Sequence, residues 1–357
     1  MIAKLVISLM LFAFSSGGDT VSVAFARTGS RSDAEETVSS REESDIDIAE
    51  IIFEHIGDDY QWHITEWKGK HIAIPLPVIV RDSEGWKVFS SEKIIHGETY
   101  RGLKIDPEKG KIVEASSLRR PLDLSITKNV LALMFSSLLL LVVVLLTARW
   151  YRRHDVLREA PTGIARLMEP LFAMVNDMAR ENIGREDYRR YTPFLCMVFF
   201  WILFNNYLGI MPFFPGGANL TGNIAITMVL ALCTFFTVNL TGTKHYYREM
   251  FNNPDVPLFL KPIMPVIEVF SAIMKPISLT VRLFANMLAG HIMILCMVCI
   301  IFVMAKYGPL LSGDMTVVSV LFGVFLDALE CLVAFIQAYV FTMLSSIYIG
   351  LARTKGE

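Results

Sequence analysis

Polar side chains, several of them ionisable, stand inside two long apolar stretches near the end of the chain. Glu268, Lys275, Arg282 and His291 fall within residues 262–306, and Asp327, Glu330 and Gln337 within 315–352. Ionisable groups at membrane depth are costly and mark interior or aqueous functional positions. Arg282 is the sharpest of them, because a guanidinium stays charged at any accessible pH. It demands an anionic partner: Glu268, Glu330, or a carboxylate from another subunit. Histidine titrates near neutrality, so His291 beside a carboxylate suits a proton relay. Bond-making chemistry has no comparable support. The chain contains no H-E-x-x-H or G-x-S-x-G element, and no nucleophile is spaced near His291.

Two long helices must position these groups. A helix of ~40 residues is ~60 Å long, twice the ~30 Å hydrocarbon core, so each must tilt, bend or break. The first runs from inside to outside, placing Glu268 near the inner face, Arg282 in the middle and His291 ~13 Å further out. The second runs back inward and reaches Glu330 before Gln337. Their separation of seven residues puts both on one face. Antiparallel packing then brings Glu330 toward His291 and Gln337 toward Arg282. Asp327 lies nearly on the face of Glu330 and fits either an outer channel or a helix end. Lys275, just before Pro276, reads as a snorkelling inner-face lysine.

The rest of the chain fits a membrane protein. Of 357 residues, 53% are hydrophobic and only 19% charged, against roughly 25% charged in a soluble domain. Residues 27–123 are acidic, with 14 Lys and Arg against 20 Asp and Glu, whereas residues 124–357 are basic, with 18 against 14. Two regions in different solvents follow. No basic stripe with interleaved aromatics occurs, so nucleic acid is not an expected partner.

Residues 1–26 read as a signal peptide, with Lys4, an apolar stretch Leu5–Phe14 and the Ala24-Phe25-Ala26 cleavage pattern. Residues 27–45 read as a solvated linker. Residues 46–123 read as a small extracytoplasmic β-containing domain, with one strand over 72–80 and another over 86–89 around an Asp82–Gly85 turn. Its His55, His63, His71 and His96 have no metal-ligand spacing, and no metal or cofactor is expected.

The membrane domain covers 126–353. Val130–Thr147 carries no charge and is followed by Arg149, Arg152, Arg153 and Arg158, which sets an outside-to-inside first span. Residues 163–185 read as an amphipathic helix lying on the inner membrane surface or leading into the next span. Further spans run over 193–210 and 224–240, the second followed by a charged inner loop from Lys244 to Pro257. The expected fold is an all-α polytopic membrane protein of five spans, two of them long tilted helices. Its N-terminal domain is outside and its C-terminus, with Arg353 and Lys355, is cytoplasmic. Cys296 and Cys299 have CxxC spacing but sit among apolar residues, as buried thiols do.

The stretch Pro276–His291, with Asn286 four residues after Arg282, resembles the signature of subunit a of the F-type ATP synthase. Glu330–Tyr348 resembles that family's last helix. Phe204–Pro212 and Gly222–Ala225 resemble its second and third spans. The likeness covers about 126–353 and leaves the N-terminal extension without an assigned role. It implies a non-catalytic proton-channel subunit of the bacterial inner membrane, partnered by the c-subunit ring, the b subunits of the peripheral stalk and lipid. Arg282 would face the ring carboxylate and separate two half-channels. Gln337 would hold Arg282, His291 and Glu330 would serve the outer half-channel, and Glu268 the inner one. Family members place further acids near the second and third spans. Here Asn206, Asn219 and Asn223 occupy those neighbourhoods, and Asn206, Asn223, Asp327 and Ser278 are candidates to line a channel. The competing class is a stand-alone membrane ion transporter or channel, which calls for an internal repeat or two similarly broken helices. Neither is present in the sequence.

Overall fold

Pro75 and Pro77 lack the backbone N–H that a central strand donates, and they cut the apolar run 72–80 in two. The computed structural model describes residues 58, 60–67, 70–82, 85–95, 99–106, 110–115, 120–154, 159–211, 217, 219–252, 263–305 and 309–354. The signal segment 1–26, the linker 27–45, His55 and His96 lie outside the described residues.

The N-terminal region folds as β1 (Gln61–Trp67), β2 (Lys70–Pro75), β3 (Pro77–Asp82), β4 (Gly85–Ser90), the single turn α1 (Glu92–Ile95), β5 (Leu103–Asp106), β6 (Lys111–Glu114) and β7 (Leu122–Asp123). β1 pairs antiparallel with β2, and β5 with β6. β3 lies between β4 and β7, with Val78 opposite Phe89 and Asp82 opposite Gly85. The single strand expected over 72–80 is therefore two strands in two sheets. At the break, Leu76 and Ser91 exchange hydrogen bonds: Leu76 N donates to Ser91 Oγ and Ser91 N to Leu76 O, both at 3.0 Å. Tyr60, Val78, Val80, Phe89, Leu103 and Ile112 form the buried centre of this region.

Among the described residues seven helices follow: α2 (Lys128–Arg153), α3 (Ile164–Ile183), α4 (Tyr188–Ile210), α5 (Ile224–Thr241), α6 (Lys244–Asn252), α7 (Met264–Ala305) and α8 (Pro309–Arg353). Five segments of these residues are long and apolar enough to cross a membrane: α2, α4, α5, Met264–Met297 of α7 and Thr316–Arg353 of α8. The chain is a mostly helical membrane protein with several spans. α3 is the amphipathic helix of 163–185. The charged inner loop begins not as a loop but as α6. Thr243 Oγ1 accepts the Tyr246 N–H at 3.3 Å, capping the first turn, and Tyr246 packs on the helical core. α7 stays one helix of 42 residues through Pro276, and α8 runs unbroken for 45.

α3, α4, α5, α7 and α8 share one core, built around Tyr191, Leu195, Phe199, Ile202, Leu283 and Phe341. The C-terminal half of α8 presents Ala338, Thr342, Ser345, Ser346 and Ala352, each with no exposed surface. Small residues let helices approach closely where lipid gives no hydrophobic drive. The Thr342 and Ser345 hydroxyls donate to carbonyls one turn back, both at 2.8 Å, so no buried hydroxyl proton is stranded there. At the end of α8, a Cβ on Gly350 would fall onto the Asn182 carbonyl of α3. Arg353 closes this end, donating to Asp187 Oδ2 from Nη2 at 2.7 Å and from Nε at 3.0 Å.

Candidate functional site

Two side-chain contacts fix the register of α7 against α8. Asn286 Nδ2 donates to Gln337 Oε1 at 2.8 Å, and His291 Nδ1 lies 3.4 Å from Glu330 Oε1. As numbers rise along α7 they fall along α8, so the helices are antiparallel. Glu330 and Gln337, two turns apart, are 7% and 3% exposed and share the buried face. Gln337 meets Asn286, one turn beyond Arg282.

Gly290 makes the acid–imidazole contact possible. A Cβ there would sit 2.6 Å from Glu330 Oε1 and 2.8 Å from its Cδ. The carboxyl group thus lies on the bare backbone of α7. A glycine inside a helix costs about 1 kcal/mol against alanine, so one flanking a charged side chain in an apolar helix is itself a sign of close approach. From the other side, Asn206 of α4 is fully buried and donates Nδ2 to Ala334 O at 3.2 Å, between Glu330 and Gln337 on α8. Glu330 Oε2, Asn206 Oδ1 and Gln337 Nε2 are buried atoms without a protein partner among the described residues. Buried polar atoms of this kind are where water molecules bind.

Arg282 is placed differently. It is exposed, and among the described residues no carboxylate lies within ion-pair distance. Glu330 is turned to His291, and Glu268 stands fourteen residues away along the same helix. Arg282 shares its exposed stripe of α7 with Ser278, Ala285, Asn286 and Ala289. Further along the α7–α8 pair, level with His291, α8 presents exposed Leu329, Leu332, Val333 and Ile336. Arg282 is thus a fixed cation on a broad apolar face. A polar seam is buried directly behind that face.

The turn between α4 and α5 reaches back to α7. Asn219 Nδ2 donates to Met287 O at 3.2 Å while its Oδ1 accepts the Gly222 N–H at 2.8 Å. Gly222 has no room for a Cβ, which would overlap the Asn219 side chain. Asn223 caps α5, accepting the Ala225 N–H at 3.0 Å. Asp327 is exposed on α8. Asn219-Leu220-Thr221-Gly222 carries an ordinary turn signature, but only the fold brings it to α7.

Toward the N-terminal part of α7, a crevice opens between α5, α7 and α8, lined by Asn239, Tyr246, Lys275, Pro276 and Tyr348. The Lys275 ammonium sits over the Tyr348 ring, 5.2 Å from its centroid. Glu268 is half-buried near Tyr246. Burial, then Tyr247 and Glu268, hold the Tyr246 hydroxyl above its ordinary range. Among the described residues no group of His, Cys, Asp and Glu is placed to hold a metal ion.

Fold and site together define a polytopic helical membrane protein with an outward-facing arginine and a buried acid–imidazole pair. The family described as ATP synthase A chain matches residues 133–350, and one described as Domain of unknown function (DUF8433) matches 51–129. The chain is 41% identical over 236 residues to ATP synthase subunit a of Pelodictyon phaeoclathratiforme, covering 64% of this chain and 66% of that protein. It is 42% identical over 236 residues to ATP synthase subunit a 2 of Prosthecochloris aestuarii, covering 64% and 69%. Against ATP synthase subunit a of Myxococcus xanthus it is 41% identical over 243 residues, covering 66% and 75%. The matches span from about two thirds to three quarters of these relatives' length. The chain belongs to the ATP synthase A chain family.

Proposed function

We propose that this chain is the proton-translocating stator subunit of an ATP synthase, non-catalytic itself, lying in the inner membrane against a ring of c subunits and held by b subunits of the peripheral stalk. The observation that carries this reading is Arg282, a cation that cannot neutralise itself, exposed on an apolar face with no carboxylate within ion-pair distance among the described residues. Such a group needs a carboxylate delivered from outside, as each passing c subunit would do.

A ring carboxylate facing Arg282 is favoured in its ionised form and gives up its proton toward the inner side. After rotating past, it takes a proton from the outer side. His291 and Glu330, 3.4 Å apart, form the outer relay, with Asn206 and Gln337 holding water along it. Glu268 and the crevice at Tyr246 and Lys275 form the inner path. The bond from Asn286 to Gln337 fixes the stripe that bears Arg282. Arg282 stands between the two paths and blocks a direct leak. α7 and α8, at ~60 Å or more, lie steeply tilted in a ~30 Å core. The β-containing region, over which the second family match runs from 51 to 129, is extracytoplasmic, and the C-terminus is cytoplasmic.

ATP-driven proton pumping in inverted membrane vesicles tests this. Arg282→Ala should abolish pumping while the complex still assembles and hydrolyses ATP. An assembled Arg282→Ala complex that pumps normally would overturn the reading.

A further inference from the structure

The N-terminal strands are tied to the membrane helices at three levels. Leu124 N donates to Ile79 O at 2.9 Å and Ile126 N to Pro77 O at 3.2 Å, so the segment leading into α2 is stitched to β3. Asp58 Oδ1 accepts the Asn129 N–H at 3.1 Å, serving the first turn of α2 from a distance of 71 residues in sequence. Trp62 of β1, Ala132 of α2 and Leu220 of the α4–α5 turn, only 3%, 6% and 2% exposed, form one buried cluster.

That cluster meets the turn at a particular place. Leu220 adjoins Asn219, whose side chain is clamped by Gly222 and donates to Met287 O. Met287 is itself buried, 1% exposed, and lies one helical turn before His291. Removing the Trp62 cover would expose Leu220 and free the turn that carries Asn219.

We propose that the N-terminal domain is a positioning element of the outer half-channel: Trp62 seats Leu220 so that Asn219 holds α7 at Met287, beside the His291–Glu330 pair. This gives the extension a role in proton passage, and it rests on the reading of that pair as the outer relay.

The test uses the whole complex in inverted vesicles, with initial ATP-driven pumping rates normalised to assembled complex. Trp62→Ala should slow pumping about threefold or more, and Trp62→Phe, which refills most of the seat, should restore it. Leu220→Ala empties the same contact without touching the strands and should reproduce the loss. Wild-type rates in assembled Trp62→Ala and Leu220→Ala complexes overturn the proposal. So does a Trp62→Phe complex as slow as Trp62→Ala, or a failure of both alanine variants to assemble, which would make the contact purely architectural. Arg282→Ala run alongside separates the two readings. Normal pumping there rejects the proton path itself, whereas lost pumping there with normal Trp62 and Leu220 variants rejects only the positioning role.

Discussion

Replacing Gly290 with alanine adds one methyl group where the structure has no space for it. The new Cβ would stand 2.6 Å from Glu330 Oε1, and ordinary contact begins at 3.4 Å. The carboxyl must retreat from α7 by about 0.8 Å, which takes it from 3.4 Å to about 4 Å from His291 Nδ1, beyond hydrogen-bond reach. A hydrogen bond to a charged group contributes about 1.5–3 kcal/mol, and at 3.4 Å this one belongs at the low end. Lost from the proton-transfer step, about 1.4 kcal/mol is a tenfold slowing. The same change favours the helix by about 1 kcal/mol, because alanine is the better helix former. Stability and conduction should therefore move apart. Gly290→Ala is expected to assemble at normal levels yet pump about tenfold more slowly in inverted vesicles. Complexes that assemble and pump at the wild-type rate would refute the argument that the Gly290 backbone holds the Glu330 carboxyl against His291.

Other outcomes follow from the packing. Gly350→Val drives a branched side chain into the Asn182 carbonyl, a backbone atom that cannot swing aside, and should cost about 3 kcal/mol, seen as loss of the subunit from membranes. Asp187→Ala breaks the two bonds to Arg353, whose side chains are 21% and 26% exposed, and should cost about 1 kcal/mol, read as a lower unfolding temperature in detergent with pumping retained at low temperature. Burial holds the Asp58 carboxyl above its ordinary value of 3.8. A group raised in the folded state stabilises below its unfolded pKa, and that contribution is lost as pH rises through the folded one. Docking of the N-terminal strands on α2, measured by protease protection, should strengthen as pH falls from neutral toward 3.8, and Asp58→Asn should flatten that dependence.

The polar residues of α7 and α8 were legible in the sequence because charge in an apolar run needs no alignment to stand out. The seven-residue spacing of Glu330 and Gln337 placed them on one face, and both are buried together. The sequence pattern carried Glu330 toward His291, which it meets, and Gln337 toward Arg282, whereas its bond goes to Asn286, one turn away. The rotation of one helix about its axis depends on side-chain volumes along the whole seam, and no local spacing encodes it. Gly290 was missed, and Asn219 was noted only for its neighbourhood, for the same reason: their importance lies in what another segment brings within reach. In the N-terminal region, Pro75 and Pro77 were visible in sequence, but the division into two sheets rests on Ser91, fifteen residues beyond Leu76.

Glu330 and Arg282 show opposite ways of keeping charge in an apolar setting. Glu330 is held inside, its carboxyl against His291 and its second oxygen without a protein partner among the described residues. Arg282 keeps its charge at any accessible pH, so burial with a permanent partner in this chain would lock it into a static pair. Exposed on a stripe with Ser278, Ala285 and Ala289, it leaves a small-residue surface against which another helix can slide. His291, the partner of Glu330, and Arg282 stand ~13 Å apart along α7, a spacing that, in the function proposed above, lets the pair and the cation act on the same moving carboxylate in succession. Gln337 and Asn286 connect the two through a single bond across the seam, so a change at either amide should disturb the cation and the relay together rather than one alone.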